Sequence, residues 1–326
     1  MVAEDELKIV VAGVGGAGCN TINRLARFGV KNTSLIAFNT DKKHLGIVDA
    51  SAQKILIGAS ITKGLGAGGY PEVAEKAAQG SRARITELLE GTDLLFLTSG
   101  MGGGTGTGAS PVIAEIAKEQ GAIVFGFVTY PFSIEKVRLK TAEAGIDKLL
   151  KFVDSLVIID NNRLVDYAPN MQIEKAFELA DEITAKAIGG IAQTITQPSL
   201  INIDYADVKA VVSGGGVSMI AVGRASGYDR VSDVVKRTLK NRLLDVDPDG
   251  SSGILLHLTG GSDLTLGDAN QVGELLTDHV ASDANVIYGA RLEPGREGSI
   301  EAIAIFTGLK SKYNLGSRKP IEKIEF

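Results

Sequence analysis

The run Gly100-Met101-Gly102-Gly103-Gly104-Thr105-Gly106-Thr107-Gly108 constrains this chain more than any other stretch. It follows the apolar residues Leu94 to Leu97, which read as a buried strand. It precedes Ser110-Pro111-Val112-Ile113-Ala114-Glu115-Ile116-Ala117, whose apolar spacing predicts a helix with Pro111 in its first turn. Strand, glycine loop and helix start together aim backbone N–H groups and the positive end of a helix dipole at an anion. The six glycines let the backbone approach phosphate oxygens with no Cβ in the way, and Thr105 and Thr107 add hydroxyls. A flexible linker is the competing explanation, but linkers this rich in glycine seldom join a buried strand to a well-formed helix.

Composition narrows what such a loop serves. The 326 residues suit two medium domains. A formal net charge of −5 argues against binding nucleic acid or a membrane surface through a basic face. A phosphate ligand must then be held by backbone amides, helix ends and a metal ion rather than by a lysine cluster. The single cysteine, Cys19, excludes an internal disulfide and a thiolate metal cage, and fits a reducing compartment. Met1 to Lys8 is charged without a separate apolar stretch, and no apolar run approaches the ~20 residues of a membrane helix. A cytoplasmic protein with no membrane insertion is the expectation.

The first 170 residues alternate strand and helix signals. Strands are predicted at Leu7 to Ala12, Ser34 to Phe38, Ile123 to Val128 and Ser155 to Ile159. Helices are predicted at Asn20 to Phe28, Pro71 to Gln79 and Arg82 to Leu89. Apolar strands without alternation suit an α/β fold with a parallel sheet covered on both faces, whose loops at the carboxyl ends bind nucleotides. A long helix follows from about Gln172 to Thr194. Ile173, Phe177, Ala180, Ile183, Ala187 and Ile191 form its apolar stripe, over a length of roughly 35 Å at 1.5 Å per residue.

Beyond Pro198 a smaller α+β domain is predicted. Its strands are Val208 to Val212, Met219 to Val222, Gly253 to Leu258, Ala284 to Arg291 and Ile300 to Thr307; its helices are Ser232 to Leu243 and Gly267 to Ser282. Glu293 to Gly298 reads as a hairpin turn between the last two strands. The expected division is a nucleotide-binding domain at 1–170, a connecting helix at 171–195, the α+β domain at 196–310 and a flexible polar tail at 311–326.

Several constellations leave alternatives open. Gly13-Val14-Gly15-Gly16-Ala17-Gly18 satisfies G-x-G-x-x-G between a strand and a helix, and Asp41 ends the second strand where a dinucleotide fold keeps its ribose-binding acid. Alone, these residues support an NAD-dependent oxidoreductase. Two glycine loops on one sheet instead suit a nucleoside triphosphate gripped from two sides. Gly64-Leu65-Gly66-Ala67-Gly68-Gly69 is either a third amide-bearing loop or a plain connector. Cys19 is either mildly acidified by the helix start or simply a small packing residue. His44, His257 and His279 lack ligand spacing and read as structural or surface residues. Asn202, Asp204 and Asp207 can orient a water or a hydrated magnesium ion, or cap a helix.

Taken together, Gly102 to Gly108 resembles the signature loop of the tubulin/FtsZ superfamily, and Asn202-x-Asp204-x-x-Asp207 resembles the FtsZ catalytic loop. Gly13 to Asn20, Asn39-Thr40-Asp41, Gly64 to Gly69, Pro131-Phe132 with Glu135, and Ala176-Phe177-x-x-Ala180-Asp181 match in order and spacing. The likeness covers about residues 7 to 310. It implies a tubulin/FtsZ-like fold: a Rossmann-like GTPase domain, a central helix and a C-terminal α+β domain. It further implies a GTP-hydrolysing protein that polymerises head-to-tail into the filaments of the cell-division ring.

By this resemblance Gly15, Gly16, Ala17, Gly18, Cys19 and Asn20, with Gly102, Gly103, Gly104, Thr105, Gly106 and Thr107, hold the phosphates of GTP or GDP. Ala67, Gly68 and Gly69 lie near the γ-phosphate, and Asn39 and Asp41 line the same site. Glu135 and Arg138 approach the ribose; Asn161, Phe177 and Asp181 meet the guanine. Asn202, Asp204 and Asp207 act on the neighbouring subunit's GTP, with Mg2+ carried by the phosphates rather than by protein ligands. Glu135-Lys136-Val137-Arg138 is one residue shorter than the family's E-G-x-x-R spacing. Ser213 to Gly216 is more glycine-rich than expected, and the tail 317–326 offers a minimal hook for a membrane tether or division regulator, as in an archaeal-type member. A tubulin-like filament for cell shape or DNA partition is the other reading of the same fold.

Overall fold

Strand β1 (Ile9–Val14) buries all six of its residues, the mark of a strand covered on both faces. In the computed structural model, residues 7–30, 32–167, 170–196, 205–213, 215–309 and 315 are described. The expected tail at 311–326 lies outside them apart from Leu315, as do Asn202 and Asp204. After β1 come α1 (Gly15–Phe28), β2 (Thr33–Asn39), α2 (Lys42–Gly46), β3 (Gln53–Leu56), α3 (Ala59–Thr62), α4 (Pro71–Gly80), α5 (Arg82–Leu89), β4 (Leu94–Gly100), α6 (Thr105–Glu119), β5 (Ile123–Tyr130) and α7 (Lys136–Leu149). The strands pair in parallel in the order β3-β2-β1-β4-β5. Phe96, Phe125 and Phe127 stack across β4 and β5 with ring centroids 4.7 to 6.2 Å apart.

Both phosphate-loop helices begin earlier than their apolar spacing predicts. α1 starts at Gly15 rather than Asn20, so Gly15 to Gly18 of the G-x-G-x-x-G run are its first turn. α6 starts at Thr105, which places Pro111 inside the helix rather than in its first turn. Packing explains the shift. A Cβ on Gly18 would sit 2.4 Å from the Thr98 carbonyl oxygen, and one on Gly106 2.4 Å from that of Gly100. Glycine there lets each helix start against the end of β4, and that burial outweighs the backbone hydrogen bond Pro111 cannot make.

The chain divides between Leu156 and Val157, with Thr184–Gly189 grouped with the first unit. Beyond that point lie the end of β6 (Ser155–Asp160), α8 (Asn161–Tyr167), α9 (Ile173–Thr196), α10 (Tyr205–Val212), β7 (Val217–Ser226), α11 (Arg230–Lys240), β8 (Ser251–Gly260), α12 (Leu266–Thr277), β9 (Val280–Leu292) and β10 (Ser299–Thr307). Four strands of this second unit form a sheet in the order β7-β10-β8-β9. β10 runs antiparallel to β7 and β8, and β9 runs parallel to β8. His257 on β8 lies against Gly190, where a Cβ would stand 2.8 Å from its ring. Burial pushes His257 down to about 4, so it is a neutral core residue at pH 7.

Three expectations fail here. Residues 208–212 are not a strand: α10 buries Val208, Val211 and Val212, whose steps of three and one put them on one helical face. The helix expected to reach Ser282 stops at Thr277, because from Val280 the chain pairs with β8 instead. Glu293 to Gly298 is not a hairpin turn, since β8 lies between β9 and β10. The segment crosses the end of β8, where the Glu293 N–H donates to the Gly260 carbonyl at 2.8 Å.

α6 packs against α4 through Gly108, where a Cβ would stand 2.0 Å from the Pro71 carbonyl oxygen. Gly108→Ala should therefore destabilise the nucleotide-free protein by about 1–3 kcal/mol, as overpacking does. Gly103→Ala, with nothing within 4 Å of its Cβ position, should not. Calorimetric Tm values of the two variants check this; equal Tm values would refute it.

Candidate functional site

In the first unit the carboxyl ends of β1, β2 and β4 meet the third glycine loop, Gly64 to Gly69, which follows α3. The first turn of α1 abuts that of α6, since a Cβ on Gly15 would stand 2.9 Å from the Gly106 nitrogen. The Thr40 and Thr105 hydroxyls are 2.7 Å apart, joining the β2 loop to α6. The third loop closes on the same point. A Cβ on Gly104 would lie 2.9 Å from the Ala67 Cβ, and the Gly66 N–H donates to the Thr40 carbonyl at 3.1 Å. Gly64 to Gly69 is thus part of the site rather than a plain connector. Gly16, Asn20, Gly68 and Gly69 are exposed, and Ala17, Gly103 and Thr105 half-buried, so this is the face a ligand can reach.

Other expected contacts are already engaged inside the protein. Thr107 is buried, and its hydroxyl accepts from the Gly102 N–H at 2.9 Å, pinning the loop rather than facing a ligand. Cys19 is fully buried, with the Asn39 amide donating to its Sγ at 3.7 Å. Burial pushes the thiol up to about 11, against the mild acidification considered from its position at a helix start. Asn39 Oδ1 accepts from the Asp41 N–H at 3.1 Å. Asp41 Oδ1 accepts from the N–H groups of Lys43 and His44, at 2.8 and 3.1 Å, and so caps α2. The acid that suggested a dinucleotide site is therefore a helix cap.

Glu135 is committed as well. Its Oε1 accepts from the Phe132 N–H at 3.0 Å, and its Oε2 pairs with Arg138 Nη1 at 2.6 Å. The shortened spacing puts these two residues three apart on the chain, within reach of one another. The backbone at Arg138 packs on the signature loop, because a Cβ on Gly102 would lie 2.9 Å from its carbonyl oxygen.

In the second unit, Asn161 opens α8 at the end of β6. It is buried, and its Oδ1 has no hydrogen-bond partner. Phe177 does not join the apolar stripe of α9: it is 42% exposed, whereas Asp181, one turn further on, is buried. Asp207 is exposed in the first turn of α10. Among the described residues no group of three or more His, Cys, Asp or Glu side chains is placed to hold a metal ion, and no helix is long and apolar enough to cross a membrane.

Residues 8–169 match the model of the Tubulin/FtsZ family GTPase domain, and residues 216–310 that of the FtsZ family C-terminal domain. The chain is 56% identical over 314 residues to the cell division protein FtsZ 2 of Methanocaldococcus jannaschii, covering 95% of this chain and 82% of that protein. The chain belongs to the FtsZ family. Archaeoglobus fulgidus FtsZ 1 is 47% identical over 316 residues, covering 96% of this chain and 86% of that one. A solved empty FtsZ dimer from M. jannaschii superposes with a TM-score of 0.91 at 40% identity, over 99% of this chain and 97% of that one. CetZ1 from Haloferax volcanii shares the fold alone, with a TM-score of 0.80 at 21% identity over 93% of this chain and 95% of that one. As an FtsZ the chain is a tubulin-like GTPase of cell division, and guanine nucleotides are its ligands. The oxidoreductase alternative falls with that finding.

With its thiol pushed up to about 11, Cys19 should be ionised in on the order of one molecule in a thousand at pH 8. Iodoacetamide should label it in the unfolded chain and leave it unmodified in the folded one over the same interval. Mass spectrometry of the intact protein distinguishes the two; rapid labelling of the folded protein would contradict the buried placement.

Proposed function

We propose that this FtsZ assembles head-to-tail, and that each GTP is hydrolysed with acids supplied by the next subunit. One observation carries the proposal: the carboxylates beside the described phosphate loops, Asp41 and Glu135, are both engaged in internal hydrogen bonds. The loops can hold a triphosphate through amides and helix ends, but neither of these acids is poised to orient water. Asp207 is a further carboxylate, exposed in the first turn of α10. The resemblance adds Asn202 and Asp204 to it.

In this reading the first turns of α1 and α6 and the third loop bind the phosphates. Asn161 Oδ1, an acceptor without a donor, suits a guanine N–H. Phe177 offers a ring face for the base, and Asp181 an acceptor for the guanine N1–H and amino group. With Thr105 and Thr107 hydroxyls taken up by Thr40 and Gly102, a Mg2+ ion would be held by phosphate oxygens and water. When bound there it neutralises charge that develops on the transferred phosphoryl group. The chain's own part is positioning: amides fix the triphosphate, and the incoming carboxylates orient the attacking water.

The relatives include a protein described as an FtsZ dimer, and the high identity to division proteins favours a filament at the division site over a cell-shape role. The tail 317–326, outside the described residues, is the proposed hook for a membrane tether or regulator.

Asp207→Ala should bind GTP as the wild type does, lose hydrolysis by about a hundredfold or more, and form long-lived filaments. Phosphate release and sedimentation on the same samples measure this; turnover within a few-fold of wild type would sink the shared site. Hydrolysis per molecule should also rise from near zero above a threshold protein concentration. A specific rate that stays constant on dilution to nanomolar protein would show that one subunit suffices.

A further inference from the structure

His44 on α2 lies against the first of the phosphate loops. Asp41 holds α2 by its N-terminal N–H groups, and the Lys42 N–H donates to the Gly64 carbonyl at 3.0 Å, tying α2 to the third loop. Held in this way, the His44 ring lies over the first turn of α1. A Cβ built on Gly16 would stand 3.7 Å from its Cε1 and 3.9 Å from its Nε2. Gly16 is exposed on that face, at the positive end of the α1 dipole.

The other ring nitrogen decides which way the imidazole is wired. Nδ1 is buried and has no hydrogen-bond partner. A buried N–H left without an acceptor is rarer and more costly than a buried lone pair left without a donor. The neutral ring therefore keeps its proton on Nε2 and leaves Nδ1 bare, a tautomer assigned on that argument. This sets an N–H donor 3.9 Å from the Cβ position of Gly16, in the first turn of α1, the end of the helix that favours an anion.

We infer that His44 is a nucleotide-binding residue, donating from Nε2 to a phosphate oxygen of the bound guanine nucleotide. The inference rests on the proposed role of the α1 and α6 loops as the phosphate cradle.

The test uses the full chain, stripped of nucleotide and kept below the concentration at which it assembles. Affinities for GDP and for guanosine are measured by calorimetry on the wild type, His44→Phe and His44→Gln. His44→Phe keeps a ring and loses the donor, so GDP affinity should fall about tenfold, as expected for a hydrogen bond to a charged group. His44→Gln, whose amide can donate in place of the imidazole, should stay within about threefold of wild type on the same scale. Guanosine affinity should be unchanged in both. GDP binding by His44→Phe equal to wild type would overturn the inference. So would an equal loss in His44→Gln, or a guanosine loss matching that for GDP, which would mark a structural role. A wild-type protein that binds no GDP at all would instead remove the phosphate-cradle reading beneath it.

Discussion

The site depends on two helix starts pressed against each other. α1 follows β1 without an intervening loop residue, and its first turn abuts that of α6 at the Gly15–Gly106 approach. Each helix start carries roughly half a positive charge and several unsatisfied N–H groups. Bringing two of them together is unfavourable until an anion occupies the gap between them. A polyphosphate supplies that charge and satisfies the donors at once, and glycine at both contacts lets the backbones come close enough. Because the attraction comes from fixed backbone dipoles, a chain with a net charge of −5 can hold a polyanion without a lysine cluster.

That same architecture limits what the first unit can do alone. Its acids stabilise loops: Asp41 caps α2, and Glu135 ties Phe132 and Arg138. This arrangement is proposed to serve binding and to leave the orientation of water to another group. On the proposed mechanism, hydrolysis then waits on assembly, since the acids arrive with the next subunit. A cradle separated in this way from its proposed water-positioning carboxylates would make the phosphoryl-transfer site a reporter of filament formation.

Much of the fold was legible in the chain. The continuously apolar strands of the first unit announced a parallel sheet, and the long stripe from Ile173 to Ile191 announced α9. Helix starts were misplaced, because glycine-rich first turns have low intrinsic helix propensity and are stabilised only by packing. α10 was taken for a strand because a valine-rich stretch favours strands locally, whereas its spacing placed the three valines on one helical face. The order of β8, β9 and β10 depends on contacts far apart in sequence, so two neighbouring strands looked like a hairpin.

Residue types and their spacing were enough to reveal the family and the glycine loops, because backbone chemistry of this kind needs particular residues at particular intervals. Local pattern could not assign each residue its role within the site. Asp41, expected to line the site, also caps α2; Thr107, expected as a hydroxyl donor, also accepts from the Gly102 N–H; His44, expected to be structural or on the surface, lies over Gly16. Those assignments depend on which hydrogen bonds are already satisfied and on which atoms packing brings within 4 Å. Only the folded chain decides that, since backbone conformation selects which near neighbours bond, as at Asp41 and Thr107, and packing brings together distant residues such as His44 and Gly16.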